Sequence, residues 1–81
     1  MIIYPNQNKG YFDLVLTNYR TGKVEIRILN NAGVVIEKRN VVVNNQEHTF
    51  TFNLKLHSAG MYYLQTITTE GIQNMKFVIN R

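Results

Sequence analysis

His48-Thr49-Phe50-Thr51-Phe52-Asn53-Leu54 separates cleanly into two sets of side chains. His48, Phe50, Phe52 and Leu54 take one parity, and Thr49, Thr51 and Asn53 take the other. Successive side chains of a β-strand point to opposite faces, so this period of two describes a strand with one apolar face and one polar face. A helix would instead group every third or fourth residue, and no stretch of the chain keeps that spacing over a useful length.

The same period extends outward on both sides. Phe12, Leu14 and Leu16 alternate with Asp13, Val15 and Thr17, and Val24, Ile26 and Ile28 alternate with Glu25, Arg27 and Leu29. Asn30-Asn31-Ala32-Gly33 supplies turn chemistry, with Gly33 suited to a positive φ. A strand returns through Val34 to Lys38, and the run Val41 to Val43 continues or restarts it before Asn44-Asn45-Gln46 breaks the pattern. Lys55 to Gly60 reads as a loop. Met61 to Thr69 is rich in aromatic and β-branched residues and reads as a strand, Glu70-Gly71 as a tight turn, and Ile72 to Asn80 as the last strand.

With Ile2-Ile3-Tyr4 added there are about seven strands at the spacing of an all-β, immunoglobulin-like Greek-key β-sandwich, with a small barrel as the alternative. The expected core is Phe12, Leu14, Val24, Ile26, Ile28, Phe50, Phe52, Leu54, Tyr62 and Leu64. Tyr62 and Leu64 fall on one face of their strand and Met61 and Tyr63 on the other. The strand threonines are expected to face solvent.

The chain has 81 residues, the size of one domain spanning 1–81, and its balance of 44% hydrophobic and 17% charged residues is globular. It has no cysteine, which excludes a disulfide framework and any cysteine-based zinc site. Met1-Ile2-Ile3-Tyr4-Pro5 has neither the basic region nor the apolar region of a signal peptide, so export would depend on an upstream segment. The apolar runs are far too short to cross a bilayer, and direct membrane insertion is not expected. The formal net charge of +4 comes from scattered lysines and arginines, of which only Lys38 and Arg39 are adjacent. No motif accompanies them, so nucleic-acid binding is not expected.

Chemistry-bearing constellations are missing. His48 at a strand start and His57 in a loop have no second ligand at metal spacing, and Asp13, Glu25, Glu37, Glu47 and Glu70 are dispersed. Each glycine stands alone at a turn, so no loop cradles a phosphate. The expectation is a non-enzyme without catalytic residues, metal or cofactor. Gly60-Met61-Tyr62 is more informative. A Gly two residues before a Tyr that opens a penultimate strand matches the tyrosine corner of Greek-key sandwiches, where the phenol bonds backbone across the corner.

Tyr4-Pro5-Asn6-Gln7-Asn8-Lys9-Gly10, followed by Phe12, Leu14 and Leu16, resembles the opening of the type A C-terminal sorting domain of the type IX (Por) secretion system. The resemblance continues through Lys23 to Ile28, Asn30, Gly33 and Ile36. It resumes at Gly60-Met61-Tyr62-Tyr63-Leu64, passes Thr68 and Gly71, and closes in Lys76-Phe77-Val78-Ile79, two residues before Arg81. Gln7 stands where the family usually has a second proline, His57 where leucine is usual, and Thr66 where an aliphatic residue is commoner; Leu56, beside His57, is expected to fill the space of that usual leucine.

The resemblance implies a C-terminal sorting signal that takes a covalently linked upstream cargo through the periplasm to the outer-membrane surface or extracellular space of Bacteroidetes-type bacteria. Its implied partners are the translocon and a surface sortase that removes the domain. Pro5, Asn6, Gly10, Gly33, Gly60, Tyr62 and Leu64 are the implied structural motif residues. Lys76, Phe77, Val78, Ile79 and Gly71 are the candidate recognition residues, because a last strand at a sheet edge can present its backbone to a receptor. The competing expectation is a fibronectin- or immunoglobulin-like accessory module that binds glycan or protein through Tyr19-Arg20 or Asn44 to Glu47.

Overall fold

Each alternating segment pairs as a strand in the computed structural model, which describes residues 1–81. In chain order the strands are β1 (Ile2–Tyr4), β2 (Gln7–Asn8), β3 (Tyr11–Leu16), β4 (Gly22–Leu29), β5 (Val35–Val43), β6 (His48–Asn53), β7 (Gly60–Thr68) and β8 (Gly71–Ile79). The eighth strand beyond the expected seven is β2. Two residues are too short to show a period, and β2 exists through its parallel pairing with Val78 and Ile79 of β8. The segment from Val35 to Val43 is one continuous strand, with a register irregularity opposite Ile28 and Leu29.

One sheet has the order β1-β3-β6 and the other β2-β8-β7-β4-β5. Two open sheets exclude the barrel. The chain crosses between them after β1, β2, β3, β5 and β6, the alternation of an immunoglobulin-like sandwich. Asn30 makes the β4–β5 turn with its side chain, its Oδ1 accepting the N–H groups of Ala32 at 2.9 Å and Val34 at 3.0 Å.

The inward faces close over one cluster of 14 buried apolar residues. Its centre is aromatic: Phe12 lies 5.5 Å from Phe52 and 4.8 Å from Phe77, and Phe77 lies 5.8 Å from Tyr62, ring centre to ring centre. Of the expected core, Phe50 is the exception, being only half-buried. It faces inward opposite Leu14, but β6 is the edge of its sheet and one flank stays open. Phe52 on the same strand escapes this exposure because the Arg39 guanidinium reaches across from β5, 4.0 Å from its ring.

Two further expectations need correction. Thr66 is not solvent-facing: it is 1% exposed and sits opposite Ile26 on the inner face. A hydroxyl is tolerated there because it hydrogen-bonds Tyr19 Oη at 3.0 Å. Leu56 does not take the place of the leucine usual at position 57. It is wholly exposed, at the tip of the β6–β7 loop.

Candidate recognition site

The motif residues of the N-terminal segment meet the last strand at one end of the sandwich. The Val78 N–H donates to Asn6 O at 3.3 Å and the Asn80 N–H to Asn8 O at 2.6 Å. Asn8, which is buried, braces the segment from within: its Nδ2 donates to Pro5 O at 3.0 Å, and its Oδ1 accepts the Gly10 N–H at 2.8 Å. Gly10 in turn accepts the Leu54 N–H at 2.6 Å. Arg81 completes the closure, with Nη2 donating to Leu54 O at 2.9 Å and to His57 O. Three separate stretches of chain, before β3, after β6 and after β8, are thereby sewn together.

The tyrosine corner lies at the same end. The Tyr62 hydroxyl donates to Ser58 O at 2.6 Å and ties the β6–β7 loop to the first turn of β7. Gly60 pairs with Ile79, and the Asn30–Ala32 turn shares a shallow hollow with Ser58 to Tyr62. Tyr62→Phe is therefore expected to retain the fold and lose about 1 kcal/mol of stability. Equilibrium denaturation reads this directly, and an unchanged midpoint would show that the corner hydroxyl does not tie the loop.

The candidate recognition residues fall into different environments. Phe77 and Ile79 are 0% and 1% exposed, so in the folded domain they serve the core and present no side chain to a receptor. Val78 is half-buried and Lys76 is exposed, opposite Tyr63 on β7. Gly71 is at the opposite end, in the β7–β8 hairpin. The last strand is also not a bare edge: β2 covers Val78 and Ile79, leaving the outer flank of β8 unpaired only over its earlier residues.

The end around Gly71 contains a polar groove of about 650 Å³. Tyr19 spans it, donating from Oη to Gln73 Oε1 at 2.8 Å while accepting from the Thr66 hydroxyl. Arg20 and Glu70 form an exposed ion pair at 3.6 Å on its rim. His48 is occupied within its own loop, accepting the Asn44 N–H at 3.2 Å. No group of three or more His, Cys, Asp or Glu side chains is placed to hold a metal ion.

Sequence reasoning missed Asn8, Arg81 and the Tyr19–Thr66 pair. An Asn two residues before a turn glycine is an available signal for the first, since its side chain commonly bonds backbone two positions on. Arg81 gives none, being one cation among several until the fold brings Leu54 and His57 to it.

A two-sheet sandwich with a tyrosine corner, whose short second strand lies parallel to its last, defines the immunoglobulin-like class of modules. The sequence model of the secretion system C-terminal sorting domain matches residues 2–80, and the chain belongs to that family. It is a C-terminal sorting signal for type IX secretion. Membership implies linkage to an upstream cargo and engagement with the type IX machinery. It also implies export to the cell surface or extracellular space. No curated protein matches the chain, and the accessory-module alternative is unsupported.

Proposed function

We propose that the type IX translocon reads this domain in its folded state. The cargo-bearing chain reaches the translocon through the periplasm, and a surface sortase then removes the domain. The domain is substrate to both steps and supplies no catalytic group or cofactor of its own. One observation carries this reading: Asn6 of the opening motif, with Asn8 beside it, bonds the N-terminal segment to the last strand, and Gly10 of the same motif is tied to Asn8 and Leu54, so these residues act together only in the folded module. Lys76 is the side chain of the last motif best placed for contact, since it is exposed and forms no ion pair.

The test is a fusion of residues 1–81 to an inert reporter that carries a signal peptide, expressed in a bacterium with a type IX system. The wild-type fusion is expected at the cell surface. Lys76→Ala should leave stability within about 0.5 kcal/mol, as exposed substitutions usually do, while surface delivery falls several-fold. Retention of the wild-type fusion in the periplasm, while a known sorting domain exports the same reporter, would refute sorting by this domain. Normal export of folded Lys76→Ala would remove Lys76 from the contact.

A further inference from the structure

The cations that lie scattered along the chain are gathered by the fold onto one surface. Strand register places Lys23, Arg27, Lys38 and Lys76 on the outer face of the five-stranded sheet, with Glu25 as the only acidic residue among them. Glu25 is held by Arg27. Lys23, Lys38 and Lys76 are exposed and form no ion pair within the domain. The opposite face, built by β1, β3 and β6, has a single charged strand residue, Asp13, which accepts a hydrogen bond from the Thr51 hydroxyl at 2.8 Å.

Apolar side chains lie between these cations in rows that cross the strands. Val35, Leu29 and Tyr63 stand side by side on β5, β4 and β7, and Ile67 pairs with Ile72 four residues further along β7. Val35 is 44% exposed and Ile72 58%. The polar row Lys38, Arg27, Gln65 and Asn74 runs between the two apolar rows. A partner of opposite charge is steered and selected by such unpaired cations, and the exposed apolar rows give it area to bury. A lipid interior does not suit it, because the apolar rows lie flush with the charges and cannot enter without them. A polyanion would leave the apolar rows without a complement. The molecule's two larger extents, 35 and 21 Å, give a face close to the ~800 Å² that each partner buries in a standard interface.

We infer that the outer face of the five-stranded sheet docks a protein of the secretion machinery that presents carboxylates around apolar contacts. This rests on the sorting function and adds the surface and the chemistry of the partner.

The experiment uses the same reporter fusion with two triple charge reversals of equal net charge. Lys23→Glu/Lys38→Glu/Lys76→Glu alters the face, and Lys9→Glu/Arg20→Glu/Lys55→Glu alters the rest of the surface. Like charges across an interface repel strongly, so the face triple is expected to lower surface delivery at least ~tenfold. The control should stay within about twofold, because rim and remote charges act weakly through solvent. Thermal unfolding of both purified variants checks the fold. If the face triple does not fold, the Lys→Gln triple at the same positions should lower delivery in the same direction. Equal losses in the two triples, or normal delivery of the folded face triple, would overturn the docking face. A wild-type fusion retained in the periplasm would instead overturn the sorting reading beneath it. Sedimentation of the wild-type domain with phosphatidylglycerol–phosphatidylcholine vesicles is expected to show no binding that the face triple abolishes; if it does, the partner is an anionic surface and the protein partner is wrong.

Discussion

Phe77→Ala is expected to lower the unfolding free energy by about 3–5 kcal/mol, the usual cost of removing a buried aromatic ring. Phe77 has no exposed surface and joins the two sheets at their centre, contacting the Phe12 ring from one and Tyr62 from the other. Removing it discards the apolar transfer energy and opens a cavity between rings that have no backbone freedom to close it. A chain of this length has roughly 4–12 kcal/mol of stability, so the variant should stand near the edge of unfolding. Denaturant titration measures the loss, and the fusion reporter should follow it, with export falling in proportion to the folded fraction. A loss below about 1 kcal/mol would show that Phe77 is not central to the core. The neighbouring Lys76→Ala provides the contrast: one position along the same strand, export is expected to fall with stability intact.

Gly10→Ala is expected to destabilise by at least about 3 kcal/mol, through two causes acting together. The residue has φ +101°, a conformation that side chains rarely adopt. A methyl group there would also stand 2.9 Å from the carbonyl oxygen of Leu54 and 3.1 Å from the Arg81 guanidinium. The Leu54 backbone cannot retreat cheaply, because its own N–H is bound to Gly10 O. Gly33→Ala separates the two causes. Its φ is +82°, but nothing lies within 4 Å of the added carbon, so only the conformational cost of about 1–2 kcal/mol applies. Denaturation of the two variants side by side gives the comparison. Equal losses would mean that the approach to Leu54 contributes nothing.

Much of this was legible because β3, β4, β6 and β7 each bury one face and solvate the other. Their residues had to alternate, and Phe12, Val24, Ile26, Phe52 and Leu64 could be assigned to the core from parity alone. Parity states which way a side chain points, however, and not how much covers it. Phe50 points inward and remains half-wet at a sheet edge, while Phe52 is dry because Arg39 lies over it. Thr66 was misassigned because its burial depends on a hydroxyl partner from a loop far away in sequence. The corner hydrogen bond of Tyr62 was readable from a local motif. The sewn end was not, since Asn8, Leu54 and Arg81 are joined by tertiary contacts that have no period. The basic face was invisible for the same reason: Lys23, Lys38 and Lys76 come to share one face only once β5, β4, β7 and β8 are in register.

The pairing of β2 with β8 joins positions separated by nearly the whole length of the chain. Hairpins such as β4–β5 and β7–β8 can form from adjacent residues as they appear, but closure around Phe12 requires a ring contributed by the final strand. Contacts so distant in sequence form late, after the entropy of closing the intervening chain has been overcome. On a ribosome, which releases the chain from its beginning, the sandwich therefore has no complete form until translation has passed Ile79. A product cut short by a premature stop or by proteolysis inside β8 lacks both the core ring and the strand on which β2 rests. Only polypeptides synthesised through to that strand acquire the fold, so a secretion system that accepts the folded module admits only cargo whose message was read through β8.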